Sequence, residues 1–103
     1  QVAKAMGGRV IAVVGSKKKA NAMRDLGANE VIVHSDVDFV RAAKEITGRT
    51  GVSVIVDSVG GEGFEKCVTI LRPAGRLVTC GATANGFASL NLRRVFFRAL
   101  NIM

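Results

Sequence analysis

Tyrosine and tryptophan are absent, proline and histidine occur once each, as Pro73 and His34, and cysteine occurs only as Cys67 and Cys80 in a chain of 103 residues. Each scarcity excludes something. The two cysteines lie thirteen positions apart with no C-x-x-C pair, so a disulfide framework is ruled out and a reducing, cytoplasmic setting is expected. Zinc wants about four ligands at characteristic spacings, and one histidine with two scattered cysteines does not provide them, so no metal is expected. No apolar run reaches the roughly 18 residues that a membrane-spanning helix needs. The opening stretch Gln1-Val2-Ala3-Lys4-Ala5-Met6 lacks an apolar block of signal-peptide length. It also starts without Met and inside a helical pattern, as expected of a segment cut from a longer chain.

Acidic residues are missing from both ends. Residues 1–19 carry Lys4, Arg9, Lys17, Lys18 and Lys19 with no acid, and residues 91–103 carry Arg93, Arg94 and Arg98 with none. The net charge of +7 is therefore local in origin. A nucleic-acid surface would spread such charge over one face and add aromatic residues for stacking. Here the aromatics are five Phe at core-like spacing, so no nucleic-acid partner is expected.

What is present is regular. Hydrophobic residues make up 49% and charged residues 22%, ordinary globular composition for one domain at most. Five short apolar runs begin at Val10, Val31, Val54, Leu77 and Leu100, in steps of 21, 23, 23 and 23 residues. They are continuous rather than alternating, the pattern of strands covered on both faces of a parallel sheet. Between them lie amphipathic stripes: Ala20, Met23 and Leu26 before Gly27; Phe39, Ala42, Ala43 and Ile46 before Gly48, with Asp36 placed to cap; Phe64, Cys67, Val68 and Leu71 before Pro73; and Leu92, Val95, Phe96 and Ala99 after Asn91. Val2, Ala5 and Met6 read as the tail of one more helix. The order is α-β-α-β-α-β-α-β-α-β, a doubly wound α/β sheet with right-handed crossovers expected.

One part of that plan is missing. A doubly wound nucleotide-binding domain opens with a strand, a glycine-rich turn and a helix, and this chain opens inside that helix. G-x-G-x-x-G does not occur. Gly60-Gly61-Glu62-Gly63 has the wrong spacing, and a tight strand-to-helix turn is the favoured reading of it over a phosphate cradle.

In such sheets ligands lie across the carboxyl ends of the strands, so the residue after each run matters most. After the first run comes Gly15-Ser16-Lys17-Lys18-Lys19. NAD-binding domains usually place a carboxylate there for the adenosine ribose, and such a group would repel a 2′-phosphate. A glycine followed by a hydroxyl and three ammonium groups suits a phosphate dianion instead. The rival is a solvated lysine run, which would oppose the helix dipole for no return. His34 ends the second run, and a surface or adenine-packing role outweighs a catalytic one. Asp57 ends the third and is read first as an anchor for the Ser58-Val59-Gly60-Gly61 turn, with a ribose contact as the alternative. Cys80-Gly81-Ala82-Thr83 ends the fourth. A close approach for a flat ring and a plain tight turn are equally open there.

The segments Gln1 to Ile11, Leu26-Gly27-Ala28-Asn29-Glu30-Val31-Ile32, Val54-Ile55-Val56-Asp57-Ser58-Val59-Gly60-Gly61 and Leu71-Arg72-Pro73-Ala74-Gly75-Arg76-Leu77-Val78 carry a resemblance. In order and spacing they resemble the cofactor domain of medium-chain dehydrogenase/reductases, in particular the zinc-independent quinone oxidoreductase group. The resemblance implies a Rossmann-type sheet, truncated because the first strand and glycine-rich turn are absent, and it makes residues 1–103 part of a dinucleotide-binding domain without its substrate domain. It implies NADPH as cofactor and hydride transfer to a quinone, enone or related carbonyl substrate, with catalytic residues that cannot be assigned in this chain. By position, Ser16 and Lys19, with Lys17 and His34 nearby, would hold the 2′-phosphate and adenine end. Ser58 and Val59 would border the ribose, and Cys80, Gly81 and Ala82 would line the nicotinamide. The resemblance also implies a small-molecule substrate, no membrane partner and a homodimer for the intact protein.

Two other classes compete. A methyltransferase using S-adenosylmethionine would place an acid after the first run, where Gly15 stands. A basic α/β module binding acidic partners without catalysis would need only the charge. Short-chain reductases need a Tyr-x-x-x-Lys pair, and there is no Tyr. Lacking the central strand, the chain is expected to leave Val10–Val14 and Val54–Val56 each facing an empty slot, or to pair them directly. On its own it should be marginal in stability.

Overall fold

The computed structural model describes residues 1–103, and its elements follow the expected alternation. In order they are α1 (Val2–Ala5), β1 (Ile11–Val14), α2 (Lys17–Asp25), β2 (Glu30–Val33), α3 (Phe39–Ile46), β3 (Val52–Asp57), α4 (Glu62–Ile70), β4 (Leu71–Thr79), α5 (Leu92–Phe97) and β5 (Asn101–Ile102). No helix is long and apolar enough to cross a membrane. The chain divides into two units, Gln1–Ile46 and Thr47–Met103.

In the first unit β1 and β2 pair in parallel, Ile11 opposite Glu30 through Val14 opposite Val33. Helix α2 packs on both strands, and α3 packs on β2. Ala20, Ile32 and Ala43 are the buried residues, one from each of the three elements that meet there. Local chemistry sets the ends of α2. Ser16 caps its start, the hydroxyl accepting from the Lys19 N–H at 3.3 Å. Gly27, at φ +102°, closes it in a Schellman turn: its N–H bonds the Arg24 carbonyl, and the Ala28 N–H bonds that of Met23. The start of α3 departs from expectation. Asp38, not Asp36, caps it, its carboxylate accepting from the Val40 and Arg41 N–H groups at 2.9 and 3.4 Å.

In the second unit β3, β4 and β5 form a parallel sheet in that order. Its core is Val68, Leu71, Leu77 and Leu100, with Ile55, Phe64, Cys67 and Val95 packed against it. β4 begins earlier than the apolar run suggests. Leu71 leaves the helix stripe and pairs with Val52, and the next matched pair is Val54 with Arg76. The residues between form a bulge around Pro73, which has no N–H to give the ladder, and Ala74 there takes φ +59°. Gly75 fits this bend because a Cβ would stand 2.8 Å from the Arg72 carbonyl oxygen.

The ladders are two and separate, so direct pairing of β1 with β3 is not formed. Each of these strands has one hydrogen-bonded neighbour, β2 for β1 and β4 for β3. The expectation of strands covered on both faces is corrected for β3: Val54 and Val56 are 56% and 70% exposed. Their continuous apolar pattern calls for two covers, and the structure supplies one. The reading of five core phenylalanines is also corrected. Phe39 and Phe64 are half-buried, but Phe87, Phe96 and Phe97 are 86%, 78% and 79% exposed. Helix α5 turns Val95 inward, leaves Leu92 and Phe96 outward, and ends before Ala99, which takes φ +51°.

Candidate cofactor site

The sequence-derived site residues fall into two groups, one at strand ends in each unit. In the first unit the group lies where β1 runs into α2. Gly15 and Ser16 form the crossing, and the side chains of Lys17, Lys18 and Lys19 follow on the first helical turn, all exposed. The first turn holds no acid, and none of the three lysines pairs with a carboxylate of the chain. Three unpaired cations therefore sit at the positive end of a helix, an arrangement that an anion would relieve. Ser16 spends only its acceptor capacity on the cap, which leaves its O–H free to donate. His34, just past β2, is exposed, and its ring lies beside Gly15: a Cβ at residue 15 would stand 3.4 Å from Nε2. Ser35, which the sequence reading passed over, donates its hydroxyl to the Gly15 carbonyl at 3.1 Å.

In the second unit the loops after β3 and β4 run side by side. Asp57 is buried, and its carboxylate accepts from the Val59 N–H at 3.2 Å and the Gly60 N–H at 3.0 Å. The anchor reading of Asp57 is thus the one the structure supports. The neighbouring loop continues the pairing. The Cys80 N–H bonds the Asp57 carbonyl, the Thr83 N–H that of Ser58, and the Ala84 N–H that of Val59. These bonds bring together Ser58, Val59, Cys80, Gly81 and Ala82. Gly81 is needed for the approach itself, since a Cβ would meet the Ser58 carbonyl oxygen at 3.0 Å. Gly60 and Gly61 take φ +69° and +60°, and a Cβ on Gly60 would stand 2.5 Å from the Asn85 carbonyl oxygen. The turn reading of this cluster holds. Asn85 was missed, although the Asn85-Gly86 pair is a turn signal in the sequence.

The cysteines differ. Cys67 is packed beside the core, and burial, with the Asp57 charge adding to it, raises its thiol from 9.0 to about 11. Cys80 is exposed, its S–H directed to the Asp57 carbonyl at 3.5 Å. No group of three His, Cys, Asp or Glu side chains converges. The donors of these residues do not fit a zinc ion.

Parallel strands joined by helices, with open polar ends at the carboxyl side of each, define a Rossmann-type dinucleotide-binding sheet. The chain belongs to the zinc-binding dehydrogenase family, a branch of the medium-chain dehydrogenase/reductases, whose pattern it matches over residues 1–103. It is 37% identical over 92 residues to quinone oxidoreductase 1 of Escherichia coli (strain K12), covering 89% of this chain and 28% of that protein. It is 38% identical over 79 residues to 2-haloacrylate reductase of a Burkholderia species, covering 77% of this chain and 24% of that protein. Among solved structures it superposes on Escherichia coli quinone oxidoreductase complexed with NADPH with a TM-score of 0.89 and 33% identity, over 99% of this chain and 32% of that one. The chain thus spans about a quarter to a third of the length of these relatives.

Proposed function

We propose that residues 1–103 are the NADPH-binding part of an oxidoreductase that transfers hydride to a quinone, enone or related carbonyl compound. The substrate domain and the catalytic groups are assigned to polypeptide outside these residues. One observation carries the cofactor choice. At the end of β1, where a carboxylate would select the unphosphorylated ribose, there is Gly15, then a serine with a free O–H and three unpaired lysines. Family membership and the NADPH in a similar structure support the same reading.

On this reading Ser16 and Lys19, with Lys17 and His34 nearby, hold the 2′-phosphate and adenine end. Ser58 and Val59 border the ribose. Cys80, Gly81 and Ala82 line the nicotinamide, where small residues let a flat ring approach the backbone. The bound nicotinamide supplies the hydride chemistry, and these residues supply binding and orientation. The intact protein is read as a cytoplasmic homodimer, which sedimentation and fractionation would check.

The test is equilibrium titration of the longer protein with NADPH and with NADH. NADPH should bind more tightly. Lys19→Ala should weaken NADPH by about 1–3 kcal/mol, the worth of a charge-assisted contact, and leave NADH nearly unchanged. Equal losses for both cofactors would remove the assignment. A polyanion that competes as well as NADPH would favour the basic binding module instead.

A further inference from the structure

Of the five asparagines, only Asn85 is followed by glycine. Asn21 and Asn101 lie within α2 and β5, and Asn29 and Asn91 stand at the starts of β2 and α5. The residues that follow them, Ala22, Ile102, Glu30 and Leu92, all carry a Cβ and belong to regular elements. Asn85 and Gly86 sit in the exposed loop after β4, and a Cβ at residue 86 would meet nothing within 4 Å. The Gly86 nitrogen is therefore open to solvent and to the side chain next to it. The Asn85 side chain is already turned along the chain, its Oδ1 accepting from the Phe87 N–H at 3.0 Å. That bond has a chemical consequence. Attack on an amide carbonyl puts negative charge on its oxygen, and a fixed N–H aimed at that oxygen stabilises the charge. The main chain of Asn85 has a separate task. It bridges Gly60 across the two loops, its carbonyl oxygen so near that a Cβ on Gly60 would stand 2.5 Å away.

We propose that Asn85 is a self-modifying site, at which the Gly86 nitrogen attacks the Asn85 side-chain amide with the Phe87 N–H as oxyanion donor. The Gly86 nitrogen gives its proton to hydroxide and bonds to Asn85 Cγ. The Cγ–Nδ2 bond then breaks, and ammonia leaves with a proton taken from water. Water adds to either carbonyl of the resulting five-membered imide, which opens to aspartate on one side and isoaspartate on the other. Nothing is oxidised or reduced, and water is the only reactant supplied from outside. In isoaspartate the main chain runs through Cβ and Cγ, and the former Asn85 carbonyl becomes part of a free carboxylate. The group that met Gly60 is then charged and no longer in the main chain, so the pairing of the two loops is lost. The reaction requires no cofactor and no partner.

The experiment keeps the longer protein folded at mildly alkaline pH and follows its peptides with time by mass and by isoaspartate content. Conversion at Asn85 should outrun that at Asn21, Asn29, Asn91 and Asn101 by about tenfold or more, a barrier difference of about 1.4 kcal/mol. It should be no slower than in the same protein unfolded in urea, where the Phe87 N–H is no longer held at Oδ1. Gly86→Ala enters open space without a left-handed φ, so it should fold normally and slow conversion about tenfold in both states. Phe87→Ala keeps the N–H and should convert as the parent does. Phe87→Pro removes it and should slow conversion about tenfold in the folded state only. Converted protein, separated by its added negative charge, should unfold at a lower urea concentration than unconverted protein. Conversion slower in the folded protein than in urea, or equal rates for Phe87→Ala and Phe87→Pro, would overturn the proposal. Equal unfolding midpoints would overturn the loss of pairing between the loops.

Discussion

At the carboxyl end of β3 the buried Asp57 carboxylate accepts from the Val59 and Gly60 N–H groups, and the Cys80, Thr83 and Ala84 N–H groups of the neighbouring loop donate to the Asp57, Ser58 and Val59 carbonyls. At the carboxyl end of β1 the helix is capped by Ser16, but three lysines and an imidazole stand exposed with no partner in the chain. The two ends come from the same strand-to-helix plan and are finished differently. The first is a rigid frame whose glycines exist to let two backbones approach. The second is a polar edge whose charges are balanced by nothing present. On the proposed NADPH reading, self-satisfied turns suit the part of a cofactor site that must be held in shape, and uncompensated charge suits the part that must attract a phosphate.

The sharpest way to break this contrast is to remove the frame's anchor. Asp57→Ala strands the buried Gly60 N–H and the part-buried Val59 N–H and should cost about 2–4 kcal/mol in urea unfolding of the longer protein. A cost below about 0.5 kcal/mol would show that the turn holds without it. Next in size is Gly60→Ala, which must place a Cβ 2.5 Å from the Asn85 oxygen at a φ of +69°. About 2–4 kcal/mol of destabilisation is expected. Gly63→Ala is its control. Gly63 lies inside α4 with open space at its Cβ position, so alanine there should stabilise by about 0.5–1 kcal/mol through helix propensity. The cysteines give a smaller, pH-dependent effect. Cys80 should be alkylated first at pH 8, with Cys67 protected by its packing and its raised thiol pKa. The folded state holds the Cys67 proton longer than the unfolded chain does. Stability from this group is therefore full below pH 9.0 and falls as pH rises toward 11. Unfolding midpoints in that window should drop for the parent protein and less for Cys67→Ala.

Much of the fold could be read because strand and helix signals alternate so evenly. The apolar runs locate all five strands, and the i, i+3, i+4 stripes locate the helices. Boundaries failed where a local preference lost to pairing. Leu71 fits the helix stripe of Phe64, Cys67 and Val68, yet it is more useful opposite Val52, ahead of the Pro73 bulge. Asp36 and Asp38 are equally good capping residues by type, and only backbone geometry separates them. Phe96 failed for another reason. Helical spacing gives a face but cannot say whether anything covers it, and here nothing in the structure does. At the candidate site, the polar residues were readable from their place after each strand. The contact between Gly15 and His34 was not, because it depends on the parallel register of β1 and β2. The pairing of Gly60 with Asn85 was hidden for the same reason, being long-range and carried by backbone.

A crystal structure of the longer protein with NADPH tests the account most directly. The 2′-phosphate should lie within hydrogen-bonding distance of Ser16 Oγ, Lys19 Nζ and the His34 ring, with the nicotinamide along Cys80, Gly81 and Ala82. A 2′-phosphate bound away from the β1 end, with the three lysines still solvated, would contradict it.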